Sequence, residues 1–332
     1  MKNQLPFEKK QGKVYTKKES QTNLEYGVSP EDRTITELLN NGVICLNKPQ
    51  GPSSHQITEY AKNILEADKA GHGGTLDPNV TGVLPIALGK ASRVLRVLLL
   101  AGKEYVCLMH LHKDISEDII RKELNAYIGK ITQLPPVKSA VKRVHRQREI
   151  YYIDIIEIDG RDVLFRVGCQ AGTYIRKICF DFGKKLNMGA NMQELIRTKA
   201  GPFNEKEIYS LQDLQEAFLL YSQERKEKEL RKIIKPVEFA IKHLPKIWVH
   251  DSAVNSICHG IDLSIPGISK LESDIKENDL IAVLTLKNEL VCIGNSLLTS
   301  EDIIKNDKGK VLKTERVFLD LDLYPKWKKN TD

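Results

Sequence analysis

Gly71-His72-Gly73-Gly74-Thr75-Leu76-Asp77-Pro78-Asn79-Val80-Thr81-Gly82 carries four glycines in twelve residues and a single carboxylate, Asp77. So many glycines do not suit a packed helix or a strand interior, so the stretch reads as a loop that bends sharply or lies close to a ligand. Asp-Pro-Asn is also a common type I turn, in which Asp accepts backbone hydrogens and Pro fixes the next φ. The loop alone therefore leaves a structural turn and a catalytic carboxylate both open. A phosphate cradle is disfavoured because no Gly-Lys-Ser/Thr follows, and the glycines do not fit the dinucleotide fingerprint. Asn79 stands where a phosphorylated-aspartate enzyme would carry a second Asp.

Outward from this loop, the 332 residues are enough for about two domains and a sizeable core. A formal charge of +7 with a pI near 8.9 favours an anionic partner, nucleic acid first. The six cysteines (45, 107, 169, 179, 258 and 292) lack the short spacing of a zinc knuckle or a redox pair, so they read as reduced, buried thiols. No apolar run is long enough to span a bilayer, which predicts a cytoplasmic protein without membrane contact.

Met1 to Pro30 is polar and charged and reads either as a disordered arm or as a strap that needs another surface to fold against. Next come a short helix at Thr34–Asn41, a buried strand at Gly42–Asn47, and a helix whose capping box is Ser53 with Gln56. Ile57, Tyr60, Ala61, Ile64 and Leu65 form its apolar face. Past the glycine loop, Ala91, Val94, Leu95, Leu98 and Leu99 make a second helical stripe, and the two helices are expected to flank Asp77.

Lys103 to His112 alternates as a strand, with Tyr105, Cys107, Met109 and Leu111 on one face. His110 and His112 lie on the other, and with no third ligand nearby in sequence no metal site is expected. An amphipathic helix around Ile119–Ile128 precedes a basic segment with Lys138, Lys142, Arg143, Arg146 and Arg148 and no intervening acid. Such a run is often only a solvated face. Here it leads into a hairpin of Glu149–Ile158 and Val163–Cys169 turned at Asp159-Gly160. Ala171-Gly172-Thr173 is expected to cap a helix with Ile175, Ile178, Cys179, Phe182 and Leu186 inward. Arg176 in its first turn opposes the helix dipole, which suggests a task beyond stabilising the helix.

Leu195–Phe203 reads as a compact segment, and the next helix carries Leu211, Leu214, Ala217, Phe218 and Tyr221. Glu224–Lys232 reads as its exposed continuation. Past Pro245 short apolar runs at 247–249, 261–265, 280–286 and 290–293 predict a small all-β module. The expected divisions are an arm at 1–30, a catalytic unit at 31–245, an RNA-binding unit at 246–325 and a tail at 326–332.

Gly71–Pro78, Lys103-Glu104-Tyr105, Gly172-Thr173-Tyr174-Ile175-Arg176 and Arg197–Phe203 together resemble the TruB-like pseudouridine synthases, most closely the dyskerin branch that works with H/ACA guide RNA. The resemblance runs from about Gly42 to the end. His259–Ile268 with Gly294 is similar to a PUA domain. The fold implied is α+β: a mixed-sheet catalytic domain with a central RNA cleft, then a β pseudo-barrel PUA domain on which the arm packs. Two departures are Asn47, where an Asp commonly precedes the Lys, and Ile196, where a second Arg is common.

The resemblance implies Asp77 as the catalytic carboxylate, acting as nucleophile or base on a uridine turned out of its stack. It implies Arg176 as the cation holding that charge, and Tyr105 stacking on the base and relaying a proton. His55 would fill the space left by the flipped base, Tyr174 and Leu195 would line the pocket, and Lys48 would face phosphate. Lys138, Lys142, Arg143, Arg146 and Arg148 would follow the RNA backbone, and His259, Gly260 and Gly267 would contact RNA from the PUA domain. No cofactor or metal is implied. The partners implied are guide and target RNA, a small Nop-type protein, a Gar-type protein and a kink-turn-binding ribosomal-type protein.

The short path from Lys138-Ser139-Ala140 to Ile150 lacks the insertion of TruB enzymes that read a tRNA arm without a guide, and no long lysine-rich tail follows as in eukaryotic relatives. Both favour an archaeal guide-dependent enzyme. The alternatives are a stand-alone tRNA pseudouridine synthase and a non-catalytic scaffold of an RNA-protein particle. An intact Asp77, Tyr105 and Arg176 set argues against the scaffold.

Overall fold

The computed structural model describes residues 3–9, 12–135 and 142–326. In chain order, strand β1 is Val14–Thr16, helix α1 Ile35–Asn41 and β2 Gly42–Lys48. Helix α2 is Ser54–Ile64, followed by β3 Ala70–His72 and β4 Thr81–Leu88. Then come α3 Leu95–Leu100, β5 Lys103–Leu111, α4 Glu117–Asn125, β6 Gly129–Gln133, β7 Arg146–Asp159 and β8 Asp162–Cys169. Helix α5 is Ile175–Lys185, β9 Ala190–Ala200, β10 Phe203–Asn204, α6 Leu211–Glu224, α7 Lys228–Ile233 and β11 Lys235–Pro236. The chain continues with β12 Lys246–Val249, α8 Asp251–Cys258, β13 Ile268–Glu272, β14 Leu280–Leu284, β15 Leu290–Ser296, α9 Ser300–Lys305 and β16 Leu312–Val317.

The strands build two sheets. The larger runs β11-β2-β4-β9-β5-β8-β7-β6, with β3 paired to β4 and β10 to β9, and the smaller runs β1-β13-β12-β14-β15-β16. Both are mixed: β4 and β9 run parallel, as do β12 and β14, while their other neighbours are antiparallel. This is the α+β architecture expected. Pairing of β4 with β9 is confined to Thr81 with Ile196 and Gly82 with Arg197, so the two halves of the larger sheet join beside the glycine loop.

Strand β4 is absent from the sequence reading because it does not alternate. Val83 and Ala87 enter one core and Leu84, Ile86 and Leu88 another, so both of its faces are covered and the run is continuously apolar. Strand β9 was missed for the opposite reason. It carries Arg197 and Thr198 buried at 1% and 3% exposure, polar residues that look like loop until their partners are seen.

Several local expectations need correction. Tyr60 is 47% and Leu99 48% exposed, so neither belongs to its helix's buried face. Thr173 does not cap α5: its hydroxyl donates back to the Gln170 carbonyl at 2.7 Å, and the N-cap position is Tyr174, whose side chain makes no capping bond to the helix. Helix α6 stops at Arg225, whose φ of 56° is left-handed, and α7 restarts with Leu230 and Ile233 buried rather than exposed. The module after Pro245 is not all-β, since α8 and α9 pack on its sheet and 261–265 is not a strand.

The arm joins both sheets. Strand β1 pairs antiparallel with β13, and Lys17 Nζ donates to the carbonyls of Ile304 and Asn306 at 2.9 and 2.8 Å. Earlier residues reach the larger sheet, where Leu5 is wholly buried and Lys199 pairs with Glu8 at 2.9 Å. A core combining Val43, Val83, Phe203 and Val237 with Ala282, Leu284, Leu290 and Phe318 ties the two sheets together.

Candidate active site and RNA-facing surface

The glycine loop is both a turn and a site. Val80 N–H donates to the Asp77 carbonyl at 2.9 Å, closing the turn that Asp-Pro-Asn suggests, while the Asp77 carboxylate Oδ2 accepts from Arg176 Nη2. The two side chains remain 57% and 54% exposed, open to solvent on this face and not enclosed as a desolvated carboxylate would be. Arg176 arrives from the first turn of α5. Gln133 sets that turn: its side chain accepts from Tyr174 N–H at 3.0 Å and donates to the Tyr174 carbonyl at 3.1 Å.

The loop is held by buried side chains. Ser54, 1% exposed at the start of α2, accepts from Leu76 N–H at 2.8 Å and donates to the Leu76 carbonyl at 3.1 Å. Lys48 is wholly buried, and its ammonium donates to the carbonyls of Pro49, Pro78 and Val80 at 2.9, 3.0 and 2.9 Å. This corrects the phosphate-facing role: all three ammonium hydrogens are already spent on backbone around Asp77. Burial lowers the Lys48 pKa and the nearby Asp77 charge offsets part of that effect.

Arg197 is the second cation that sequence reading passed over. It is 1% exposed, and donates from Nε to the Val83 carbonyl at 2.8 Å and from Nη2 to the Gly74 carbonyl at 3.0 Å. Its register partner across the sheet is Tyr105. Burial raises the Tyr105 pKa, and the Arg197 charge opposes that rise. A third cation, Lys103, caps the end of α3 through the carbonyls of Leu98, Leu99 and Ala101 at 2.8, 2.8 and 2.7 Å. Among the described residues none of these three is ion-paired to a carboxylate.

Tyr105 and Leu195 lie on β5 and β9 at one core, Leu195 at 9% exposure with Tyr105 packed beside it. His55 is exposed on α2. His72, in the glycine stretch itself, is closer to the site's interior: its Nδ1 is buried without a partner among the described residues, and burial, Arg197 and His55 all lower its pKa. Its place inside the motif was the only signal that sequence offered.

Lys142 and Arg143 are exposed, whereas Arg146 and Arg148 begin β7, half-buried. Arg148 lies beside Gly172, so the basic strand borders the turn that delivers Arg176. Lys138 falls outside the described residues. Gln133 pairs with Arg146 where β6 and β7 run antiparallel. In the smaller sheet's unit His259 ends α8 with Nδ1 2.8 Å from the Asn255 carbonyl, and Gly260 follows at φ 84° with open space around it. Gly267 packs near Ala253 and Leu263. Together these residues leave one exposed carboxylate–guanidinium pair next to a turn that a basic strand borders, an arrangement suited to acting on a nucleic acid base.

Comparison with known families agrees along the length of the chain. The model of the TruB family pseudouridylate synthase N-terminal domain matches residues 62–175, and that of the tRNA pseudouridylate synthase B C-terminal domain matches 176–242. The probable tRNA pseudouridine synthase B of Nanoarchaeum equitans is 51% identical over 97% of this chain and 92% of its own. The chain belongs to the TruB family of pseudouridine synthases. A PUA domain matches 245–318 and a DKCLD domain matches 2–58, the latter covering the arm. Methanopyrus kandleri has a relative of the same description, 49% identical over 97% of this chain and 95% of its own. Among solved structures, the chain is similar to one from an H/ACA RNP bound to a substrate RNA containing 2'-deoxyuridine, at 46% identity and a TM-score of 0.91 over 98% of this chain and 100% of that one. It is also similar to one from a Cbf5-Nop10-Gar1 complex, at 49% identity and a TM-score of 0.93 over 97% and 98%.

No helix among the described residues is long and apolar enough to cross a membrane, and no group of three or more His, Cys, Asp or Glu is placed to hold a metal ion. His110 instead pairs with Asp162 at 2.7 Å and His112 with Asn191 at 2.8 Å.

Proposed function

We propose that this pseudouridine synthase isomerises chosen uridines in ribosomal or transfer RNA as the catalytic subunit of an H/ACA guide ribonucleoprotein in the cytoplasm. The observation that carries the reading is the exposed Asp77–Arg176 pair, set in a chain that matches, over nearly its whole length, a protein of an H/ACA RNP bound to substrate RNA. The uracil–ribose bond opens, the base turns, and carbon 5 rejoins the ribose. Asp77 acts as nucleophile or base, and Arg176 holds its charge between the two events. Tyr105, with Tyr174 and Leu195, lines the base pocket, and His55 enters the space the base leaves.

Division of labour follows the expected boundaries: residues 31–245 carry the chemistry, 246–325 grip the guide through His259, Gly260 and Gly267, and the arm joins the two. Lys138, Lys142, Arg143, Arg146 and Arg148 guide the RNA backbone toward Asp77. Nop10- and Gar1-type proteins bind the catalytic unit, and a kink-turn-binding ribosomal-type protein is held by the guide. The names of the curated relatives favour a second reading, direct modification of tRNA. Conversion of a short target RNA, with and without a matching guide and partner proteins, separates the two. Guide-dependent conversion supports the first reading, and conversion of bare tRNA by the isolated chain supports the second.

A further inference from the structure

We infer that Arg197 is a positioning residue, one that fixes the Tyr105 hydroxyl in place relative to the Asp77 loop. Its guanidinium joins the loop through the Gly74 carbonyl at 3.0 Å and β4 through the Val83 carbonyl at 2.8 Å, and its charge acts on the Tyr105 hydroxyl of β5. Arg197 and Tyr105 are register partners across β9 and β5, so the reach between them is set by the sheet itself. At the same point the β9 backbone is so close to β4 that a Cβ on Gly82 would lie 2.3 Å from the Arg197 carbonyl oxygen. Nothing at this junction has room to drift.

Folding alone gives little reason for an arginine here. A guanidinium at 1% exposure with no carboxylate in ion-pair reach among the described residues is costly to desolvate, and an apolar side chain would fill the space at lower cost. Its hydrogen bonds and its charge instead converge on groups that must keep a fixed mutual geometry during the reaction. Misplacement by an ångström costs on the order of 100-fold in rate.

The role rests on the pseudouridine synthase reading and on one step of it. When carbon 5 has bonded to the ribose, its C–H bond breaks with the electron pair returning to the ring. The proton passes to the Tyr105 oxygen as that phenol gives its own proton to water, and water supplies a proton to nitrogen 1. The phenol is restored and the base gains and loses one hydrogen.

The test is single-turnover conversion by the assembled particle for the unsubstituted chain, Arg197→Lys, Tyr105→Phe and the double variant, with target uridine bearing hydrogen or deuterium at carbon 5. The expected result is a loss of about 100-fold for Arg197→Lys, unchanged RNA affinity, a larger deuterium effect, and a double variant no slower than Tyr105→Phe alone. Losses that multiply in the double variant, or an unaltered deuterium effect, would overturn the proposal and leave Arg197 as a support of the loop only. If Arg197→Lys does not fold, Arg197→Gln takes its place. Independently of any change at Arg197, full activity of Tyr105→Phe overturns it, since no hydroxyl would then need positioning. Asp77→Asn run alongside separates this outcome from failure of the enzyme reading, which its continued activity would signal.

Discussion

Buried charge is handled in two ways in this molecule. Where the arm and the smaller sheet meet the larger one, Arg33 and Glu238 form a two-pronged pair at 2.8 Å for each contact, and both side chains are nearly covered. Beside it the Glu289 carboxylate takes donors from Tyr324, Thr285 and Val28. Around the Asp77 loop the three buried cations Lys48, Lys103 and Arg197 donate to backbone carbonyls. At the junction Arg33 and Glu238 cancel as a pair, while Glu289 is met by neutral donors. At the loop, carbonyl dipoles satisfy the hydrogen bonds but leave the positive charge in place, which suits a carboxylate that must stay ionised and a substrate that arrives with phosphates.

Breaking each arrangement should have different consequences. Lys48→Met strands three carbonyls and frees the Asp77 loop. Conversion is expected to fall by about 100-fold and stability by about 3 kcal/mol. The salt dependence of RNA binding should stay unchanged, because Lys48 does not face phosphate. A salt titration with a clearly shallower slope for the variant would restore the phosphate role. Glu238→Gln leaves Arg33 buried without its counter-charge, and should cost about 3 kcal/mol by thermal denaturation while conversion at moderate temperature stays near normal. A parallel loss of activity would mean that the junction and the loop are coupled.

His243 lies between the two regions, with Phe7 at 5.7 Å and the positive charges of Lys246 and Lys103 nearby. Burial and then those charges push its pKa down from 6.5 to about 4. The unfolded chain therefore binds the extra proton first, and stability present above pH 6.5 is lost as pH falls toward 4. The expected share is about 3 kcal/mol. Thermal denaturation across that window should show a flatter acid limb for His243→Gln, and an identical limb would remove His243 from the account.

Much of the architecture was legible because local signals agree with it. The capping box at Ser53 starts its helix, and the alternation of Lys103–Leu111 puts Cys107, Met109 and Leu111 in the core. Asp77, Tyr105, Tyr174 and Arg176 came from motif resemblance, since periodicity treats both tyrosines as ordinary core residues. What stayed hidden depends on tertiary partners. Strand β4 lacks a period because both faces are covered, and β9 looks polar because its buried Arg197 and Thr198 find acceptors only in neighbouring strands and the glycine loop. Lys48 reads as a surface lysine for the same reason, because the carbonyls it serves at Pro78 and Val80 are thirty residues away.

The most direct measurement is uridine-to-pseudouridine conversion in a short target RNA by the assembled particle, comparing the unsubstituted chain with Asp77→Asn in the presence and absence of a matching guide. Conversion that needs the guide, and a fall of at least about 1,000-fold in the variant with RNA binding retained, is the predicted result. Equal conversion by Asp77→Asn would contradict the account and move the chemistry away from the glycine loop.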